Sequence, residues 1–117
     1  MSKFQRNSAR LEALGEGRFR VSGVLDAGTV TSLLHQSAAA FGDSTAVAVD
    51  FSGVTEGDSA GLALLLEWLR LARKAGRRLQ YEEVPEQIVA LARISEVEDL
   101  LLENGSAAAP AGSATPA

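Results

Sequence analysis

The sequence predicts an α/β fold: a mixed β-sheet in the order β-β-α-β-α-β-α, with helices packed on it. Three observations carry that expectation. The segment RFRVSGVL (18–25) alternates apolar and polar side chains behind a Gly-Glu-Gly turn, as a hairpin strand does. The run AVAVDF (46–51) is short, apolar and bounded by turn residues, the pattern of a strand covered on both faces. Apolar residues then recur at helical spacing in 27–41 and 62–72, and a helix between two such strands implies a right-handed crossover and parallel pairing.

Taken in order, residues 1–7 are polar and expected to fray, and 8–14 alternates weakly enough to suggest an edge strand that pairs with 18–25. Asp26 is the expected N-cap of a helix over 27–41, in which Val30, Leu33, Leu34 and Ala38 share one face. Gly42-Asp43 ends it. The second helix starts near Ser59 and stops at Gly76, a C′ glycine. A short strand follows at 79–83. Pro85 then suits the first turn of a third helix whose buried side carries Ile88, Val89, Leu91 and Ala92. The pattern of 97–102 (VEDLLL) is compatible with a strand or a short helix. The end of the chain, rich in Ala, Gly, Ser and Pro, has no apolar periodicity, so one domain over 1–104 and a disordered tail over 105–117 are expected.

Composition narrows the function classes. With 46% hydrophobic and 22% charged residues, the chain has the make-up of an ordinary globular domain with one core. A net charge of −4 gives no general attraction for nucleic acid or anionic lipid, so no nucleic-acid partner is expected. The absence of cysteine removes disulfides and thiolate metal sites. The N-terminus lacks an apolar signal region, and the longest apolar run, 62–66, is far below the ~20 residues of a membrane span. A cytoplasmic location is expected.

The second helix is unusually apolar. Leu62, Leu65, Leu66, Leu69 and Ala72 form one stripe, and Leu64, Trp68 and Leu71 form a second beside it, leaving Glu67, Arg70 and Lys74 as the polar wedge. The combined arc of about 220° exceeds the ~100° that a surface helix needs. Either a neighbouring helix of the same domain covers the second stripe, or part of it, anchored by Trp68, meets another protein. The cations Arg70, Arg73, Lys74, Arg77 and Arg78 gather where a helix C-terminus favours them.

The turn before that helix, Thr55-Glu56-Gly57-Asp58-Ser59-Ala60-Gly61, follows the carboxyl end of a strand, where α/β folds meet ligands and partners. Asp58 or Ser59 can cap the helix. A phosphate on Ser59 would lie at the positive end of the helix dipole, yet beside Asp58 and Glu56, and so could switch an interface by repulsion. Ser59 has no identifiable base, and the single histidine, His35, lies in the first helix, so catalysis is not expected. No phosphate-cradling glycine loop, metal spacing or receiver-type acidic pair is present, and no cofactor is expected.

The stretch VDFSGVTEGDSAGLALLLEW, with GVLDAGTV (23–30) before it, resembles the STAS domain family over residues 8–102. The family pattern is an apolar strand ending in Asp-x-Ser, then Asp-Ser/Thr-Ser/Thr-Gly, then a Leu-rich helix. Asp50-Phe51-Ser52 and Asp58-Ser59-Ala60-Gly61 fill those places, and Ser59 falls where antagonist members present their phosphorylation site. Ala60 departs from the DSSG of kinase-regulated antagonists and is similar to the MlaB-type members. That resemblance implies a STAS-like sandwich acting as a non-catalytic subunit of an Mla-type phospholipid ABC transporter. It would bind the cytoplasmic ATPase (MlaF-like) and, indirectly, the permease MlaE and MlaD. It would meet the membrane only through the complex and serve the outer-membrane lipid asymmetry of Gram-negative bacteria. The expected contact set is Asp58, Ser59, Leu64, Trp68 and Leu71. The competing expectation is an anti-sigma factor antagonist switched by phosphorylation of Ser59.

Overall fold

A strand β1 (Ala9–Gly15) runs antiparallel to β2 (Arg18–Leu25), which runs parallel to β3 (Ala46–Gly57), itself parallel to β4 (Arg78–Glu82). The sheet order is β1-β2-β3-β4. The helices are α1 (Val30–Phe41), α2 (Ser59–Ala75), α3 (Glu86–Ile94) and α4 (Glu98–Gly105). This computed structural model describes residues 7–105, without the side chains of 102–105. Residues 1–6, expected to fray, and the expected tail beyond Gly105 lie outside the described residues.

The mixed α/β sheet is the one expected, but helices cover it on a single side. Phe19, Val21 and Leu25 of β2, Val47, Val49 and Phe51 of β3, and Leu79 and Tyr81 of β4 all enter one core with Leu33, Leu65, Ile88 and Leu101 of the helices. The alternate residues, among them Arg18, Arg20, Asp50 and Glu82, form an uncovered polar face laced by the Arg18–Glu82 contact at 2.8 Å and the longer Arg20–Asp50 contact at 3.4 Å. Residues 46–51 are therefore not covered on both faces. They read as continuously apolar because their outward positions include Ala46 and Ala48, small enough for an open face.

Two further boundaries differ from expectation, and one open choice is resolved. First, β3 runs to Gly57 rather than ending at Phe51, because Gly53, Val54, Glu56 and Gly57 continue to pair with Ser22, Gly23, Val24 and Leu25 across two register shifts. Second, α1 begins at Val30 with Thr29, not Asp26, at its cap position. Asp26 instead folds the loop on itself: its Oδ1 accepts from Gly28 N at 2.8 Å, while Thr29 Oγ1 accepts from Asp26 N and donates to Val24 O. Such local bonds compete with helix geometry. The segment compatible with strand or helix, 97–102, is helical from Glu98 onward, since Leu101 reaches the core and Arg93 pairs with Glu98 at 3.1 Å. The α2 terminus falls as expected, with Gly76 at φ 71 and its N–H on the carbonyls of Ala72 and Arg73.

The core is threaded by rings. Phe19 meets Phe41 at 5.0 Å, Phe41 meets Trp68 at 5.6 Å, Trp68 meets Phe51 at 6.4 Å, and Phe51 meets Tyr81 at 5.3 Å. Each buried polar tip has a partner. Trp68 Nε1 donates to Ser37 Oγ at 2.8 Å, Ser37 Oγ donates to Leu34 O, and the Tyr81 hydroxyl donates to Leu65 O at 2.6 Å. Burial pushes the Tyr81 pKa upward, so the hydroxyl stays a neutral donor. At the far end of α1, Arg77 stacks over Phe41 and donates to the carbonyls of Ser44 and Gly42.

The Trp68–Ser37 bond joins α2 to α1 inside apolar surroundings, so each half alone is costly. Trp68→Phe and Ser37→Ala should each destabilise the domain by about 1–3 kcal/mol in denaturant unfolding. The double variant should lose clearly less than the sum of the two, because neither group is then left without its partner. Strict additivity would show that the bond does not couple the helices.

Candidate functional site

The carboxyl end of β3 and the start of α2 are held by α3 and by the end of β2. Gly57 N donates to the side chain of Gln87 on α3 at 2.9 Å, and Asp58 N donates to Leu25 O at the end of β2 at 3.1 Å. Gly57 and Gly61 let the first turn of α2 press on the neighbouring elements. A Cβ on Gly61 would lie 2.9 Å from Leu25 Cβ, and one on Gly57 would lie 2.8 Å from Ile88 Cδ1. This close seat explains why this sequence carries glycine at both places.

Asp58 is the cap. Its backbone is extended, with φ −122 and ψ −161, and its Oδ1 accepts from Ala60 N at 2.8 Å. Ser59 follows as the first helical residue, exposed, and its hydroxyl has no partner among the described residues. Of the two candidates for the capping role, Asp58 takes it and Ser59 is released from it.

Two depressions flank Ser59. On the side of Ala60, a groove of about 220 Å³ runs between α1 and α2, lined by Val30, Thr31 and Leu34 across from Ala60, Ala63, Leu64 and Glu67. Arg70 holds the Glu67 carboxylate at 2.7 Å, and that hydrogen bond lowers the Glu67 pKa, so the charge at the groove end is internally balanced. On the side of Asp58, a cleft of about 340 Å³ is lined by Val24, Leu25, Asp26, Glu56, Gly57, Asp58 and Gln87. Its Asp26 carboxyl sits below the usual carboxylate range, chiefly through a 2.8 Å hydrogen bond from the Asn7 side chain, with help from the Gly28 and Thr29 backbone. The serine thus stands between a mostly apolar groove and a negative cleft.

The rest of the expected contact set is placed differently. Leu64 and Trp68 are 3% and 2% exposed, beneath α1, and only Leu71 remains half-buried at the α1–α2 seam. In the free domain the second stripe is covered from within, and Trp68 is not a surface anchor. The surface next to Ser59 comes mainly from Val30, Thr31, Leu34, Ala60 and Ala63, with Leu64 reaching the groove between them. The spacing of Ala60 and Ala63 on the flank beside Ser59 was the readable signal. Val30 and Leu34 were hidden by their apolar character, which matches a buried helix face equally well.

The other half of the motif shapes the sheet. Asp50 Oδ1 accepts from Ser52 N at 2.9 Å and Oδ2 accepts from Ser52 Oγ at 3.0 Å, just where β3 slips register against β2. His35 is exposed on α1. Among the described residues, no cluster of three or more His, Asp or Glu side chains is arranged to hold a metal ion, and no helix is long and apolar enough to cross a membrane.

A family model described as "Mlab, STAS domain" matches residues 9–103. The chain belongs to the MlaB-like STAS family. Proteins of this family are typically non-catalytic, regulatory or binding, and their STAS domains mediate protein–protein contacts. Among solved structures, the chain is similar to the anti-sigma factor antagonist SpoIIAA in its unphosphorylated form. The identity is 18% and the TM-score 0.60, over 77% of this chain and 82% of that one. At that identity the likeness speaks for the fold. No curated protein matches the chain.

Two outcomes follow from this geometry. Asp58→Ala should cost about 1 kcal/mol of stability through loss of the cap, while Ser59→Ala should change it by less than about 0.5 kcal/mol. Equal losses in thermal or denaturant unfolding would return the cap to Ser59. Burial raises the Asp50 pKa, but bonds from the Ser52 N–H and hydroxyl and from Arg20 outweigh it and leave the pKa lowered. The bonded carboxylate therefore stabilises the fold above the unfolded aspartate value of about 3.9, and this contribution disappears as pH falls through the lower folded value. Asp50→Asn should flatten the acid side of the stability–pH curve below about pH 4. An unchanged curve contradicts the assignment.

Proposed function

We propose that this protein is the non-catalytic regulatory subunit of an Mla-type ABC transporter. It binds and supports the cytoplasmic ATPase, an MlaF-like subunit, and through it the permease MlaE and MlaD. In that role it lies in the cytoplasm, peripheral to the inner membrane through the complex, and serves phospholipid transport that maintains outer-membrane lipid asymmetry. The observation that carries this reading is the family match to MlaB-like STAS domains over nearly all of the described chain. The unpartnered hydroxyl of Ser59, beside a groove floored by Ala60 and Ala63, supports it, because small side chains let a partner backbone approach closely.

On this reading the working form has an unmodified Ser59. A phosphate there would add roughly −1.5 to −2 charges. The carboxylates of Asp26, Glu56 and Asp58 already line the adjoining cleft, so a partner shaped for a neutral hydroxyl would meet a desolvation cost and repulsion instead. The anti-sigma antagonist reading uses the same serine in the opposite sense, as a residue meant to be phosphorylated.

Co-purification of the full chain with an MlaF-like ATPase from membranes tests the assignment. Ser59→Asp should keep the fold and weaken that binding by about tenfold or more, equivalent to ~1.4 kcal/mol. An unchanged affinity in titration would remove Ser59 from the interface. No capture of the ATPase, together with stoichiometric phosphorylation of Ser59 by a partner serine kinase, would replace the transporter reading with the antagonist one.

A further inference from the structure

The outer edge of β1 carries its own recognition pattern. β1 is the first strand of the sheet, and among the described residues no strand pairs with its other side. Leu11, opposite Val21 of β2, does not give its N–H to β2. It donates instead to Oε1 of Gln36 on α1, at 3.1 Å. In an antiparallel ladder the bonding direction alternates. The main-chain groups of Ala9, Leu11 and Ala13 therefore point to the open edge, while Arg10 and Glu12 bond inwards to Ser22 and Arg20.

A second copy of β1 could add to this edge about a two-fold axis in only a few registers, since outward-bonding residues must face one another. Centred on Leu11, the pairs are Ala9 with Ala13, Leu11 with Leu11, and Arg10 with Glu12, twice. Moving the axis one residue towards the N-terminus sets Arg10 against Arg10. Moving it one residue the other way sets Glu12 against Glu12. Of these three registers only the central one is free of like charges, and it places the Arg10–Glu12 pairs at non-hydrogen-bonded positions, where facing side chains stand closest. Arg10 and Glu12 are both exposed, and among the described residues no ion pair engages either of them.

The same register needs the Leu11 N–H at its centre, and that is the donor Gln36 occupies. Gln36 is braced there, since its Nε2 donates to Ser32 Oγ at 3.0 Å. Covering an edge is a known way to stop strand-to-strand association. We propose that β1 is a pairing edge for a second copy of this chain, and that Gln36 keeps it closed. Opening it joins two four-stranded sheets into one, with reciprocal Arg10–Glu12 pairs on the polar face and Leu11 meeting Leu11 on the helix side. This edge is formed by β1 and α1, apart from the Ser59 turn, so the proposal does not depend on the transporter assignment.

Sedimentation velocity of the full chain over a concentration series tests it, with circular dichroism confirming that each variant is folded. Gln36→Ala should strengthen dimerisation at least tenfold over the wild type, whereas Gln36→Glu, which still accepts from Leu11, should not. Gln36→Leu, a good helix former without an acceptor, repeats the first arm should the alanine variant fold poorly. In the opened background Arg10→Glu should abolish the dimer, and adding Glu12→Arg should restore it, because the swapped pair is again complementary. No gain on removing the Gln36 amide, or no rescue by the charge swap, overturns the proposal.

Discussion

The hydrogen bond between Trp68 and Ser37 is the contact on which the arrangement of this domain turns. An indole N–H buried without an acceptor costs more than most single contacts return. Inside the core its acceptor is a hydroxyl on α1. Satisfying it draws α1 over the second apolar stripe of α2 and aligns Phe19, Phe41, Trp68, Phe51 and Tyr81 into one aromatic run. Two surface features follow from where α1 then lies. One flank forms the groove beside Ala60 and Ala63, and the other brings Gln36 to the edge of β1.

Around Ser59, holding the turn and presenting a contact fall to different residues. Asp58 accepts from the helix N-terminus, Gln87 and Leu25 hold the backbone, and Gly57 and Gly61 allow close seating against Ile88 and Leu25. None of these tasks falls to Ser59. Its hydroxyl is left exposed on a rigid mount, which suits a residue that reports its chemical state to a partner. The negative cleft on one side and the mostly apolar groove on the other make the environment sensitive to added charge.

The sheet shows a similar economy. Its helix side is filled by large apolar residues, and its open side is kept soluble by crossed ion pairs and by alanines where the strands run close. Asp50 and Ser52 stabilise the slip in β3 that lets it reach Gly57, so the two halves of the family motif act together. One sets the course of the strand, and the other presents its end.

Local chemistry was enough to determine the mixed α/β class, the hairpin strand at 18–25, the start of α2 at Ser59 and its stop at Gly76. Alternation, capping and left-handed glycine act over a few residues and leave direct marks. The motif likewise marked Asp58 and Ser59. Tertiary structure decided the rest. Whether Trp68 meets α1 or another protein depends on a helix 31 residues away in sequence, and whether 46–51 is covered once or twice depends on where all four helices settle. The length of β3 was hidden because pairing with β2 holds Val54, Glu56 and Gly57 in a strand that their own turn-like sequence does not favour. Asp26 looked like a helix cap until its bonds to Gly28 and Thr29 turned it into a loop. The opening choice at the turn, between Asp58 and Ser59, was settled by backbone direction alone: an extended Asp58 aims its carboxylate at Ala60 N and leaves the serine hydroxyl outside.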